Sequence, residues 1–271
     1  MESLRSWGVD NANALVDFRN VSVMRGDRVV LDKLSLRIEA GEHVAILGPN
    51  GCGKSTLVKT ITRDLYPLQR EGMSARILGR DRWHLFDLRH QLGIVSHDLA
   101  NICNRPIKGL ETVLSGYYGS IGLMMSHAPT GEMRAKAEAL MEEFAITHLK
   151  DRWLDELSSG EARRILIARA LVHEPKALLF DEPSTSLDLA AQRELVNVLR
   201  GLSRRGVALV LVTHHLADII PEIERVILMR SGRVIADGPK RDLLTAGTLE
   251  ALFGSPVELV CRDEFFHAWW R

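Results

Sequence analysis

The run Gly48-Pro49-Asn50-Gly51-Cys52-Gly53-Lys54-Ser55-Thr56 constrains this chain more than any other stretch. It follows the apolar run Val44-Ala45-Ile46-Leu47 and precedes Leu57-Val58. That order predicts a buried strand, a glycine-rich turn and a helix from Lys54 to about Arg63. The spacing G-x-x-x-x-G-K-[ST] is that of a phosphate-binding loop. Gly48, Gly51 and Gly53 permit positive φ and a close approach of the backbone to a polyanion. Successive N–H groups then converge on phosphate oxygens, helped by the positive end of the following helix. Lys54 supplies a point charge for β and γ phosphates. The Ser55 hydroxyl is the expected Mg²⁺ ligand.

Around this loop the apolar pattern divides the chain. Ala14–Met24 and Val29–Ile38 read as two strands joined by a tight turn at Gly26-Asp27, an antiparallel pair. Residues 74–79 and 92–96 read as short strands. Residues 98–157 differ: glycine and proline punctuate the first half, and a helical pattern begins at Glu132. There Ala137, Leu140, Met141 and Phe144 share one apolar face. This is a mainly helical insertion. From 158 to 236 strands and helices alternate again: a helix near Glu161, strand Ala177–Phe180, and a helix from about Leu189. Strands Val207–Val212, Val226–Met229 and Val234–Ala236 follow. Such alternation implies a parallel sheet covered by helices. A helical reading of residues 264–270 would put Phe265, Phe266, Trp269 and Trp270 on one face, as an interface or packed on the domain.

Asp181-Glu182 closes the strand Ala177–Phe180. Carboxylates at the C-terminal edge of a buried parallel strand sit where open α/β sheets bind ligands. Asp181 can hold Mg²⁺ through water, and Glu182 can accept a proton from water. The alternative is an exposed acidic turn before Pro183. Ser158-Ser159-Gly160-Glu161 opens a helix, either as an anion site or as an ordinary serine cap.

The motifs at 48–56, 157–161, 177–182, 186–188 and 213–214, in that order, resemble the nucleotide-binding domain of ABC ATPases. The resemblance covers about residues 14–240. It implies a P-loop α/β core with an antiparallel β subdomain and a helical subdomain at about 98–157. Residues 1–13 are then an N-terminal tail and 241–271 a C-terminal extension. The resemblance implies ATP and Mg²⁺ as cofactors. Gly48–Thr56 match the Walker A loop, Ser158–Glu161 the signature, Ala177–Asp181 Walker B and Glu182 the catalytic base. Ser186-Leu187-Asp188 match the D-loop and His214 the switch histidine that contacts the γ-phosphate. Arg25 stands where an aromatic residue usually stacks on adenine, which its guanidinium can also do. His97 replaces the usual glutamine. An imidazole is a poor Mg²⁺ ligand, so Ser96, Asp98 or water is expected to substitute, or His97 is simply a loop residue. Cys52 is either a neutral small residue or a thiol whose oxidation blocks ATP. A paired metal site at His214-His215 is not expected, because adjacent strand side chains point to opposite faces.

In this family the phosphate loop of one chain meets the signature of another, which implies a two-fold dimer closing around two ATPs. Residues 112–123, 92–96 and 253–257 are similar to a narrower group, the single-domain molybdate-transport or photorepair-type ATPases. The expected function is therefore ATP hydrolysis driving a transporter, for molybdate or another anion, with a separate membrane-spanning permease. The insertion, with Tyr117, Tyr118, Ile121, Leu123, Met124 and Met125, is the surface a permease would meet, unless those residues pack on themselves. The alternatives are a stand-alone ATPase remodelling a protein or nucleic-acid complex, and a slow regulatory dimer. Lys+Arg and Asp+Glu both number 35, and this zero net charge weighs against extensive nucleic-acid contact. The longest apolar run, Val207–Val212, is too short to span a membrane. No secretory leader is apparent, and Cys52, Cys103 and Cys261 have no disulfide or metal spacing. A cytoplasmic setting, peripheral to the membrane, is expected.

Overall fold

Residues 13–96 and 106–270 are described by a computed structural model. The first two apolar runs form β1 (Ala14–Arg25) and β2 (Arg28–Glu39), antiparallel, with Arg25 opposite Arg28. Gly26-Asp27 makes the turn, Gly26 at φ 57°. After β3 (Val44–Leu47) and α1 (Lys54–Ile61), strand β4 (Ser74–Ile77) joins β1, giving an antiparallel sheet in the order β2-β1-β4. Helix α1 stops before Arg63, which sits at φ 62°. The Arg63 guanidinium leaves the helix line to donate to the carbonyls of Ala75 and Asp81.

Helix α2 (Leu85–Gln91) leads into β5 (Leu92–Ser96). Between β5 and Ser159 the described residues form α3 (Gly109–Ser115), α4 (Gly131–Glu143) and three single 3₁₀ turns. On α4, Ala137 and Met141 are buried and Leu140 is half-buried; Phe144, just past its end, is also buried. The chain continues with α5 (Ser159–Leu171), β6 (Ala177–Asp181), α6 (Leu189–Arg204), β7 (Ala208–Thr213), β8 (Arg225–Arg230) and β9 (Arg233–Pro239). His97, Asp98 and Cys103 lie outside the described residues.

The main sheet has the order β5-β6-β7-β3-β8-β9. Strands β5, β6, β7, β3 and β8 are parallel, and β3, β6 and β7 are near-continuous apolar runs because both faces are covered. Alternation assigns the side chains to two cores. Ala45 and Leu47 join the core beneath α5 and α6, whereas Val44 and Ile46 join the core shared with α1 and the antiparallel sheet. Strand β9 departs from the expected all-parallel sheet. The two-residue turn Ser231-Gly232 leaves no room for a crossover, so β9 runs antiparallel to β8.

Beyond β9 the chain forms α7 (Lys240–Leu243), α8 (Ala246–Phe253) and a hairpin of β10 (Val257–Arg262) with β11 (Phe265–Trp270). The helical reading of residues 264–270 is thus wrong. Asp263 and Glu264 both take positive φ, the backbone of a two-residue hairpin turn, and the aromatic residues that follow favour a strand. Strand alternation separates the aromatics: Phe266 is buried against the domain, and Trp269 is 54% exposed. No helix among the described residues is long and apolar enough to cross a membrane.

Candidate functional site

The phosphate-loop motif leaves the sheet at the C-terminal end of β3, next to the ends of β7 and, one strand further, β6. Gly48 N–H donates to the Thr213 carbonyl at 3.3 Å, which ties the loop to β7. Gly48 is needed for space rather than for positive φ. A Cβ there would lie 2.4 Å from the Met229 carbonyl oxygen and 2.7 Å from Cys52 Sγ. Gly53, at φ 108°, does need glycine's freedom, and it caps α1 with no side-chain bond. The first N–H groups of α1 therefore have no side-chain competitor for an anion.

Lys54 folds back over the loop. Its Nζ donates to the carbonyls of Gly48 at 2.8 Å and Pro49 at 3.1 Å, and lies 3.2 Å from Glu182 Oε1. The other carboxylate oxygen, Oε2, is 2.6 Å from His214 Nδ1. Glu182 follows directly on β6 and holds positive φ at 50°, a backbone state that costs energy in a non-glycine residue. Its N–H donates to the Val212 carbonyl at 2.8 Å, which fixes the turn against β7. So the ends of three neighbouring strands bring Lys54, Glu182 and His214 together.

These residues line a cavity of about 660 Å³ with Arg25, Asn50, Gly51, Gly53, Ser55, Thr56 and Asp181. Arg25, at the end of β1, is placed at its wall. Thr185 also lines it, and its buried Oγ1 has no hydrogen-bond partner among the described residues. No motif pointed to Thr185; its place four residues after the strand-ending Asp181 was the available signal. The donors of Ser55, Asp181 and Thr185 are all oxygens, the set that suits Mg²⁺. Cys52 is 4% exposed, and burial pushes its thiol pKa up. That favours a neutral packing residue over a reactive one.

The signature residues stand apart: none of Ser158, Ser159, Gly160 and Glu161 lines this cavity. Ser158 caps α5 in a capping box, accepting from Glu161 N–H while its own N–H donates to Glu161 Oε2 at 2.9 Å. The Ser158 hydrogen bonds hold the Glu161 carboxyl below its usual range. Ser159 Oγ donates to the Ser186 carbonyl at 3.0 Å, linking the helix start to the turn after β6. The cap reading is therefore realised, with the Ser159 hydroxyl exposed.

Behind His214 lies a buried support that sequence reasoning missed. Thr213 Oγ1 donates to Asp218 Oδ2 and accepts the N–H of His215 at 2.9 Å. Ser184, two residues after Glu182, also donates to Asp218. Burial pushes the Asp218 pKa up. An acid five residues past a strand end, within an apolar segment, was its only mark. The structure also corrects the reading of His214-His215. Both follow the last residue of β7, where strand alternation has ended, and their rings lie 3.8 Å apart.

A glycine loop at the end of a buried parallel strand, a lysine over it and carboxylates on a nearby strand define a P-loop nucleoside triphosphatase. The ABC transporter family model matches residues 31–185. YlmA of Bacillus subtilis (strain 168), an uncharacterized ABC transporter ATP-binding protein, is 32% identical over 255 residues, 92% of this chain and 95% of its own. The cobalt import ATP-binding protein CbiO of Rhodobacter capsulatus is 37% identical over 216 residues, 79% of this chain and 75% of its own. The solved structure of cbiO1 from Clostridium perfringens, part of the ABC transporter complex cbiONQ, superposes with a TM-score of 0.73 at 26% identity. It covers 88% of this chain, which spans 94% of it. The chain belongs to the ABC transporter family of ATP-binding proteins, and it is an ATPase. The narrower molybdate or photorepair label is not what these relatives carry.

Proposed function

We propose that this chain is the ATP-hydrolysing subunit of an importer, acting as two identical chains on the inner face of a membrane beneath a separate permease. The observation that carries the reading is the convergence of Lys54 and His214 on the two oxygens of Glu182. In this reading the triphosphate lies along Gly48–Thr56, against the loop N–H groups. Lys54 exchanges the Gly48 and Pro49 carbonyls and Glu182 for the β and γ phosphates. Arg25 lies against the base. Ser55 and Asp181 hold Mg²⁺, which when bound neutralises charge on the phosphates. Glu182, freed from Lys54, takes the proton of the attacking water, while His214 steadies the γ-phosphate. Ser158–Glu161 lie outside this cavity, which supports their meeting the nucleotide of the second chain. Closing and opening of that pair is the work delivered to the permease.

Met124 and Met125 of the insertion are exposed, and Tyr117, Ile121 and Leu123 pack partly on the core. The two methionines support a contact to a permease helix there. For the cargo, the relative named as a cobalt import ATP-binding protein supports a metal ion, and the resemblance of residues 112–123 supports molybdate or another anion. The test is capture of tagged Glu182→Gln protein with ATP from gently solubilised native membranes, read by mass spectrometry. A polytopic membrane protein at equal stoichiometry is expected. Recovery of soluble proteins or nucleic acid alone would support a stand-alone ATPase instead.

A further inference from the structure

His214 and His215 stand side by side where the end of β7 gives way to the turn at Leu216–Asp218. One donor atom each from Glu182, His214 and His215 lies within 4.8 Å of the other two. Lys54 faces Glu182 Oε1, so Oε2 is the oxygen turned toward the histidines. Both histidines also line a second cavity of about 480 Å³, walled by α8 and the C-terminal hairpin, which His267 lines as well. His215 is exposed, so this cavity gives solvent a route to the cluster.

We propose that Glu182, His214 and His215 form a binding site for a divalent transition-metal ion of the zinc type, and that an ion held there stops hydrolysis. Two imidazole nitrogens and one carboxylate oxygen are a donor set for Zn²⁺, Co²⁺ or Ni²⁺. They do not suit Mg²⁺, so the site is distinct in kind from the oxygen donors at Ser55 and Asp181. The ion replaces the hydrogen bond between His214 and Glu182. The neutral His214 ring then carries its proton on Nε2 and offers Nδ1 to the metal. Three protein ligands leave a fourth position for water. The bound ion removes Glu182 from the attacking water and His214 from the γ-phosphate. This inhibitory half rests on the roles proposed above; the binding half does not.

The protein is titrated with Co²⁺, whose visible absorption reports nitrogen coordination, and Zn²⁺ is then added to displace it. Hydrolysis of Mg-ATP is measured in parallel with and without Zn²⁺. One Co²⁺ per chain is expected for wild type. His215→Asn should weaken that binding about tenfold or more, keep wild-type turnover in metal-free buffer, and lose sensitivity to Zn²⁺ by the same factor. Cobalt binding by His215→Asn equal to that of wild type would overturn the site. Stoichiometric binding without inhibition would overturn the inhibitory half and count against the roles of Glu182 and His214. Should His215→Asn lose its circular dichroism signature, Glu182→Gln carries the binding test: weaker Co²⁺ affinity is expected, and unchanged affinity contradicts the site.

Discussion

Replacing Asp218 by alanine should loosen the turn that carries His214. Asp218 is 4% exposed and accepts hydrogen bonds from Thr213 and Ser184, both buried. Truncation leaves two hydroxyl donors inside the protein, at about 1 to 3 kcal/mol each. Part of that loss is offset, because burying the carboxylate was itself costly, as its raised pKa records. A net destabilisation of about 2 to 3 kcal/mol follows, or about 4 to 12 °C in Tm for a chain of this size. Asp218→Asn keeps one acceptor oxygen and should lose about half as much. Thr213 also accepts the His215 N–H, so its release shifts the backbone at His214. Displacement of a positioning group by about 1 Å costs up to about 100-fold in turnover. Scanning calorimetry and steady-state phosphate release measure the two effects. ATP binding should persist, since the Gly48–Thr56 loop is untouched. An Asp218→Ala protein that melts with wild type and hydrolyses ATP at the wild-type rate would refute the reasoning.

Gly48→Ala forces a methyl group to 2.4 Å from a backbone carbonyl oxygen that cannot yield. It should cost about 1 to 3 kcal/mol and abolish binding of a fluorescent ATP analogue; wild-type affinity at an unchanged Tm would contradict this. His173 packs between Tyr117 and His90 and bonds the Gly116 carbonyl at 3.0 Å. Burial lowers its pKa to about 4, from an ordinary value of 6.5. The unfolded chain therefore binds the proton better than the folded one. The stabilising contribution is whole above about pH 6.5 and is lost as the pH falls toward 4. His173→Gln should flatten the fall of Tm over that window; equal slopes for the two proteins would contradict the assignment.

The phosphate loop, its strand and its helix were legible because residue type and spacing there are set by chemistry, not by packing. The buried parallel strands were legible as unbroken apolar runs, since both faces of β3, β6 and β7 are covered. Sequence patterns failed where a rule was carried past its range. Strand alternation was applied to His214-His215, one residue beyond the end of β7. Helical periodicity was applied to residues 264–270, where the Asp263-Glu264 turn lacks the glycine or asparagine that usually marks a hairpin. Thr185 and Asp218 were invisible for another reason. Asp218 acts through bonds to Thr213, across a turn, and Ser184, far along the chain, and Thr185 through its place on the cavity wall; no local pattern encodes either.

The central claim is that Glu182 is the general base of an ATPase whose loop, lysine and switch histidine are those described. Single-turnover hydrolysis by Glu182→Gln, measured beside its ATP affinity and its sedimentation in Mg-ATP, tests it most directly. The account predicts ATP bound at wild-type affinity, hydrolysis slowed about 100-fold or more, and a dimer that accumulates with ATP. Hydrolysis at the wild-type rate would contradict it, because no proton acceptor of the right placement would then be missing from the site.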